Sequence, residues 1–147
     1  MIAKREIVKV GLAVTEANCL LLVRKRGGGS YILPGGKPEV GENDRQVLAR
    51  EIYEELGCSV DFTTAIFLGE FTDKAADMLD TFVTVRLYAA QLLGSPAPKS
   101  EIESLAWYRP GVGSEVALAP SLQNKIVPFL CAHGRLVSDT LKHEKLR

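Results

Sequence analysis

Cysteine is scarce in this 147-residue chain, and the few present do not pair. Cys19, Cys58 and Cys131 are odd in number, far apart and without CxxC spacing, which argues against both a disulfide framework and a zinc site. They read as reduced, small apolar residues. Histidine is scarcer still: His133 and His143 stand near the C-terminus with no paired nucleophile, so no Ser-His-Asp or Cys-His arrangement can be argued, and both read as surface residues. No apolar run approaches the ~18–20 residues of a membrane span, and Lys4, Arg5, Glu6 and Lys9 interrupt any signal-peptide pattern, so the expected location is cytoplasmic. An excess of charge is missing too. Eighteen basic side chains balance eighteen acidic ones, which leaves no global field to draw the protein onto long nucleic acid or an anionic membrane. Recognition of a charged ligand must therefore be local.

What is present is ordinary for a globular chain: 46% hydrophobic and 24% charged residues. The length suits one domain over residues 1–147, with 138–147 charged and expected to fray. Residues 6–14 and 19–26 are short apolar runs separated by the polar TEAN, which predicts a hairpin. RGGGS at 26–30 is a loop, and YILPGG at 31–36 a brief strand that stops at Pro34 and two glycines. Helical spacing runs from Asn43 or Asp44 to Leu56, closed by Gly57. Residues 60–71, 80–93 and 104–110 read as strands, the first two joined by a polar connection, and Pro120 opens a helix to about His133. Together these predict an α/β fold with a mixed β-sheet covered by helices.

One stretch does not fit plain packing. GGKPEVGENDRQVLAREIYEELG places Glu42, Glu51, Glu54 and Glu55 within fourteen residues, with Arg50 the only cation between Arg45 and Lys74. At ~100° per residue, Glu51, Glu54 and Glu55 fall within roughly a 100° arc beside the apolar stripe of Leu48, Ile52 and Leu56. Like charges at this spacing cost a helix a few tenths of a kcal/mol per pair unless something positive joins them. An oxygen-rich cluster suits a hard divalent ion, Mg²⁺ or Mn²⁺, and such an ion points to chemistry at phosphorus.

The same stretch resembles the Nudix box: Gly, five residues, Glu, seven residues, then Arg-Glu-aliphatic-x-Glu-Glu-x-Gly-aliphatic. Gly36, Glu42, Arg50, Glu51, Ile52, Glu54, Glu55 and Gly57 stand in register; only the closing aliphatic position differs, where Cys58 stands. Chance agreement at the fixed Gly, Glu and Arg positions has a probability on the order of 10⁻⁶. Pro34-Gly35-Gly36 before the box and SEIESLAWY at 100–108 extend the likeness over most of residues 5–132. The resemblance implies an α/β/α sandwich. It also implies metal ligands at Glu51, Glu54 and Glu55, with the Gly36 carbonyl as a further one, and Arg50 orienting a carboxylate. Glu42 is expected to steady the loop–helix junction. The general base is left open among Glu55, ranked first, Glu101 and Glu103.

The implied reaction is metal-assisted hydrolysis of a nucleoside diphosphate linked to X, with a small nucleotide as partner and a homodimer as an option. Arg24 and Arg26, sharing one face of a strand, could reach a substrate phosphate or could simply form an exposed edge. Phe82 and Arg86 could offer a stacking ring and a cation, against ordinary packing. Asp73 and Lys74 stand where related ADP-ribose hydrolases carry a proline; Ala75 and Ala76 stand where dinucleoside polyphosphate hydrolases carry a tyrosine. No coenzyme A signature precedes the box. Elimination leaves MutT-like cleavage of a (d)NTP to monophosphate and pyrophosphate, with ADP-ribose or nucleotide-sugar hydrolysis and an inactive nucleotide-sensing module as alternatives.

Overall fold

A computed structural model describes residues 4–111 and 116–138 of the chain. Its strands are β1 (Arg5–Ala13), β2 (Thr15–Glu16), β3 (Cys19–Lys25), β4 (Gly35–Gly36), β5 (Ser59–Lys74), β6 (Thr81–Leu93) and β7 (Ile102–Tyr108). Helix α1 spans Asp44–Leu56, and a π-helical turn at Leu122–Ile126 runs into α2, Val127–Ala132. Strands β4-β1-β6-β5 form a mixed sheet in which β1 and β6 are parallel; β2-β3-β7 form a second, antiparallel sheet.

The run CLLLV in β3 has no polar member to mark an outer face, and the packing shows why. Leu21 and Val23 join one core with Val47, Leu48, Ile52 and Leu56 of α1, whereas Leu20 and Leu22 join another with Leu122, Ile126 and Leu130. A strand buried on both faces needs apolar residues at every position. Helices therefore cover both sides of the strand layer, as in the α/β/α sandwich expected. Among the described residues no helix is long and apolar enough to cross a membrane.

Three expectations change. The hairpin shrinks to β2 and the start of β3, turned by Ala17 and Asn18 at φ 48° and 62°, the two left-handed residues a two-residue hairpin turn requires. The chain changes sheets at Val14, so β1 pairs with β6 instead of with most of β3. Next, β5 continues to Lys74, so the polar connection to β6 is shorter than FTDKAADML suggests. Finally, the helix entered near Pro120 is not uniform: Pro128 has no N–H to donate, and the turn before it widens, the Val127 N–H reaching the Leu122 carbonyl. His143 and all but Ser138 of the 138–147 segment lie outside the described residues.

Helix α1 begins and ends where its sequence directs. Asn43 accepts from the Gln46 N–H at 2.9 Å while the Gln46 side chain accepts from the Asn43 N–H at 2.9 Å. At the other end Gly57, at φ 70°, donates to the Tyr53 carbonyl at 3.0 Å. These caps fix where the helix starts and stops, and burial of Val47, Leu48, Ile52 and Leu56 fixes its rotation and with it the direction of each carboxylate.

Candidate active site

Strand β4 is a two-residue shelf laid along β1, Gly36 opposite Val10 and Gly35 opposite Gly11. Gly35 has φ +143°, and a Cβ there would stand 2.0 Å from the Val10 carbonyl oxygen, so only glycine fits. A Cβ on Gly36 would stand 2.5 Å from the Glu51 carboxyl carbon. The bare backbone lets that carboxylate lie directly against it.

Glu55, one helical turn on from Glu51, is 2% exposed. Its Oε1 accepts from the Gly35 N–H at 3.2 Å, while Oε2 is buried with no partner. Burial, then a bond to Glu51, pushes the Glu55 carboxyl up to about 9, the Gly35 N–H opposing. Burial beside the Glu51 carboxylate thus favours the neutral Glu55 carboxyl when no cation is bound.

Arg50 is the hub of the remaining charges. Its Nε and Nη2 grip both oxygens of Glu42 at 2.8 and 2.7 Å, Nη1 donates to Glu51, and Nη2 reaches the Lys37 carbonyl at 3.1 Å. Glu42 also accepts from the Glu39 N–H at 2.8 Å. The bond to Arg50, more than any other contact, holds the Glu42 carboxyl at about 2, and the Arg50 guanidinium is correspondingly raised. Glu54 lies outermost, 52% exposed and 3.7 Å from Arg50. The helix thus divides the expected trio: Glu51 and Glu55 meet at the shelf, and Glu54 stands outside. Among the described residues no three acidic, His or Cys side chains are gathered closely enough to hold an ion as they stand. Arg50 occupies one oxygen of Glu51, and Glu55 is turned inward.

The donors nevertheless suit a hard divalent cation: oxygen only, an orphaned buried oxygen on Glu55, and a cradle at Gly36 that a side chain would fill. Beside the shelf opens a cavity of about 200 Å³. Its charged lining is Lys9, Lys25, Lys74 and Asp77, Gly36 adds bare backbone, and Val83, Leu122 and Ile126 are among its apolar residues. Burial, then Lys25 and Lys37, lowers the half-buried Lys9 ammonium, against the pull of Glu55 and Glu51.

Arg24, Arg26, Phe82 and Arg86 do not line this cavity. Arg24 stands 3.4 Å from Glu103 and over the Tyr31 ring. β3 ends at Lys25, so Arg26 lies beyond it and shares no strand face with Arg24; Lys25, opposite Arg24 in the alternation, is the residue that lines the cavity. Phe82 packs under the Lys4 ammonium, and Arg86 is held by Asp44 at 2.8 Å and by Glu70. Neither Glu101 nor Glu103 lines the cavity, but Glu101 lies 3.5 Å from the cavity-lining Lys25, whereas Glu103 is engaged by Arg24. His133 is exposed, and its ring Nδ1 pairs with the Phe129 carbonyl at 2.9 Å. Sequence reasoning passed over Lys9, although Ile7-Lys9-Gly11 puts a cation inside an otherwise apolar alternation.

The model of the NUDIX domain matches residues 5–128. A Mycobacterium tuberculosis protein named "Putative 8-oxo-dGTP diphosphatase 2" is 36% identical over 107 residues, 69% of this chain and 72% of that protein. The crystal structure of a MutT protein from Methanosarcina mazei superposes with a TM-score of 0.70 at 20% identity, covering 88% of this chain and 96% of that one. An ADP-ribose pyrophosphatase from Streptococcus suis gives 0.62 at 18% identity, covering 91% and 92%. The two structures share the fold; the sequence match runs through the carboxylate helix itself, and on that ground the chain belongs to the Nudix family of hydrolases.

Proposed function

We propose that this chain is a Mg²⁺-dependent nucleoside triphosphate pyrophosphohydrolase, with Mn²⁺ able to substitute, that releases a nucleoside monophosphate and pyrophosphate. Nudix hydrolases generally use divalent metal ions and act on small nucleotides. The observation that carries the proposal is the orphaned Glu55 Oε2, buried one helical turn from Glu51 against the Gly35-Gly36 shelf that lines a cavity. Glu51 and Glu55, with the Gly36 carbonyl and Glu54 from the outer side, would hold the ion; when bound it neutralises phosphate charge and activates water. Arg50, clamped by Glu42, keeps Glu51 pointed at the shelf. The oxygen of water forms the new bond to phosphorus, and the bridging P–O bond breaks with its electron pair leaving on pyrophosphate. A carboxylate must take the proton of the water. Two carboxylates are candidates: Glu55, whose own proton is displaced when the ion is bound, and Glu101, 3.5 Å from the cavity-lining Lys25.

A substrate panel with Mg²⁺, scoring phosphate, pyrophosphate and monophosphate separately, tests this. Pyrophosphate plus monophosphate from a triphosphate is the expected result. Turnover of ADP-ribose or nucleotide sugars alone would replace the triphosphate reading, and tight nucleotide binding without any turnover would replace catalysis with sensing.

A further inference from the structure

The cavity beside the shelf holds a cation whose charge is uncommitted. Lys9 enters it from β1, and among the described residues its ammonium has no hydrogen bond or ion pair. Among the described residues none pairs with it: Glu51 is engaged by Arg50, Glu55 accepts from the Gly35 N–H, Asp77 on the cavity wall makes no ion pair with it, and Lys25 and Lys37 repel it. Lys25 by contrast has a partner in Glu101 at 3.5 Å. Packing alone does not call for lysine here, since the cavity's wall is largely apolar and methionine would fill the same volume with no charge to desolvate. Lys9 and Lys25 line one cavity within the field of Lys37, and Lys9 is half-buried and unpaired among the described residues, which fits a ligand with several negative charges close together. Lys9 feels Glu51 and Glu55, so that ligand part lies beside the carboxylates, and Val83, Leu122 and Ile126 are left for an apolar part.

We infer that Lys9 is a substrate-binding residue that grips the distal phosphates of a triphosphate and so selects it over a nucleotide whose distal group is neutral. This rests on the triphosphate reading above. The full chain and its Lys9→Met and Lys9→Arg variants are titrated with inorganic tripolyphosphate in the absence of metal, then assayed with Mg²⁺ on a deoxynucleoside triphosphate and on ADP-ribose. Lys9→Met is expected to weaken tripolyphosphate binding and raise the triphosphate KM by about 10- to 100-fold, with kcat changed less than about 3-fold. Its preference for triphosphate over ADP-ribose should fall by a similar factor. Lys9→Arg should restore most of the affinity, and the melting temperature of unliganded Lys9→Met should equal or exceed that of wild type. Unchanged tripolyphosphate affinity and KM in Lys9→Met would overturn the assignment, as would equal losses in Lys9→Arg accompanied by a lower melting temperature. If wild type cleaves no triphosphate, the reaction reading fails alone, and the metal-free titration still decides whether Lys9 holds an oligo-anion.

Discussion

Replacing Glu55 by glutamine should stabilise the metal-free protein at neutral and alkaline pH while ruining its metal site. In the folded protein the Glu55 carboxyl titrates near 9 against 4.5 for an ordinary glutamate. The native state thus binds this proton more tightly than the unfolded chain does. The resulting stabilisation is complete below pH 4.5 and is lost as pH rises through 9. At about 1.4 kcal/mol per pH unit, wild type has given up roughly 2–4 kcal/mol by pH 7.5. The substituted glutamine has no proton to lose, donates from its amide toward Glu51, and still accepts from the Gly35 N–H, so the variant's curve stays flat over this range. Thermal melts of both proteins in a chelator, from pH 5 to 9, should diverge to roughly 5–10 °C in favour of Glu55→Gln near pH 7.5–8. Excess Mg²⁺ should raise only wild type appreciably, because the ion takes the proton's place. Parallel curves across that interval would refute the buried, protonated Glu55 and the ion-binding role argued from its orphaned oxygen.

Four further substitutions separate shelf, clamp and outer ligand. Gly35→Ala, whose Cβ would meet the Val10 carbonyl at a backbone φ of +143°, should cost more than about 2 kcal/mol in chemical denaturation. Gly36→Ala meets only the movable end of Glu51, so turnover should fall at least tenfold with a far smaller loss of stability. Arg50→Lys keeps the charge and loses the two-pronged grip on Glu42; steady-state kinetics should show kcat down about 10- to 100-fold with the nucleotide KM little changed. Glu54→Gln, at an exposed position, should leave the melting temperature within about 1 °C and lower Mg²⁺-dependent turnover sharply; unchanged turnover would remove Glu54 from the ligand set.

Local chemistry made much of this legible before any coordinates. Asn43, Gln46 and Gly57 announce both ends of α1 because capping involves residues three or four apart, and the spacing of the glutamates follows once the helix is set. Pairings between distant segments leave no such mark. Nothing in EIVKVGLAV states that it runs parallel to β6, and that β3 stops at Lys25, leaving Arg26 outside it, is a property of the β3–β7 pairing. Helical periodicity likewise put Glu54 beside Glu51 and Glu55, whereas the described geometry seats the latter two against a glycine backbone well upstream and leaves the first in solvent. Lys9 was missed because a lone cation in a strand signals nothing until the opposite wall is known.

The pairing of β1 with β6 also governs when the enzyme comes into being. Arg5 to Ala13 must wait for Thr81 to Ala89, so the chain pays a long loop closure before its central sheet gains anything in return. The glycine shelf is laid along that same first strand. A nascent chain can therefore carry every glutamate of the box, helix already turning, and still be unable to act: competence arrives with the distant strand, and folding delays at that closure should be felt as delayed activity.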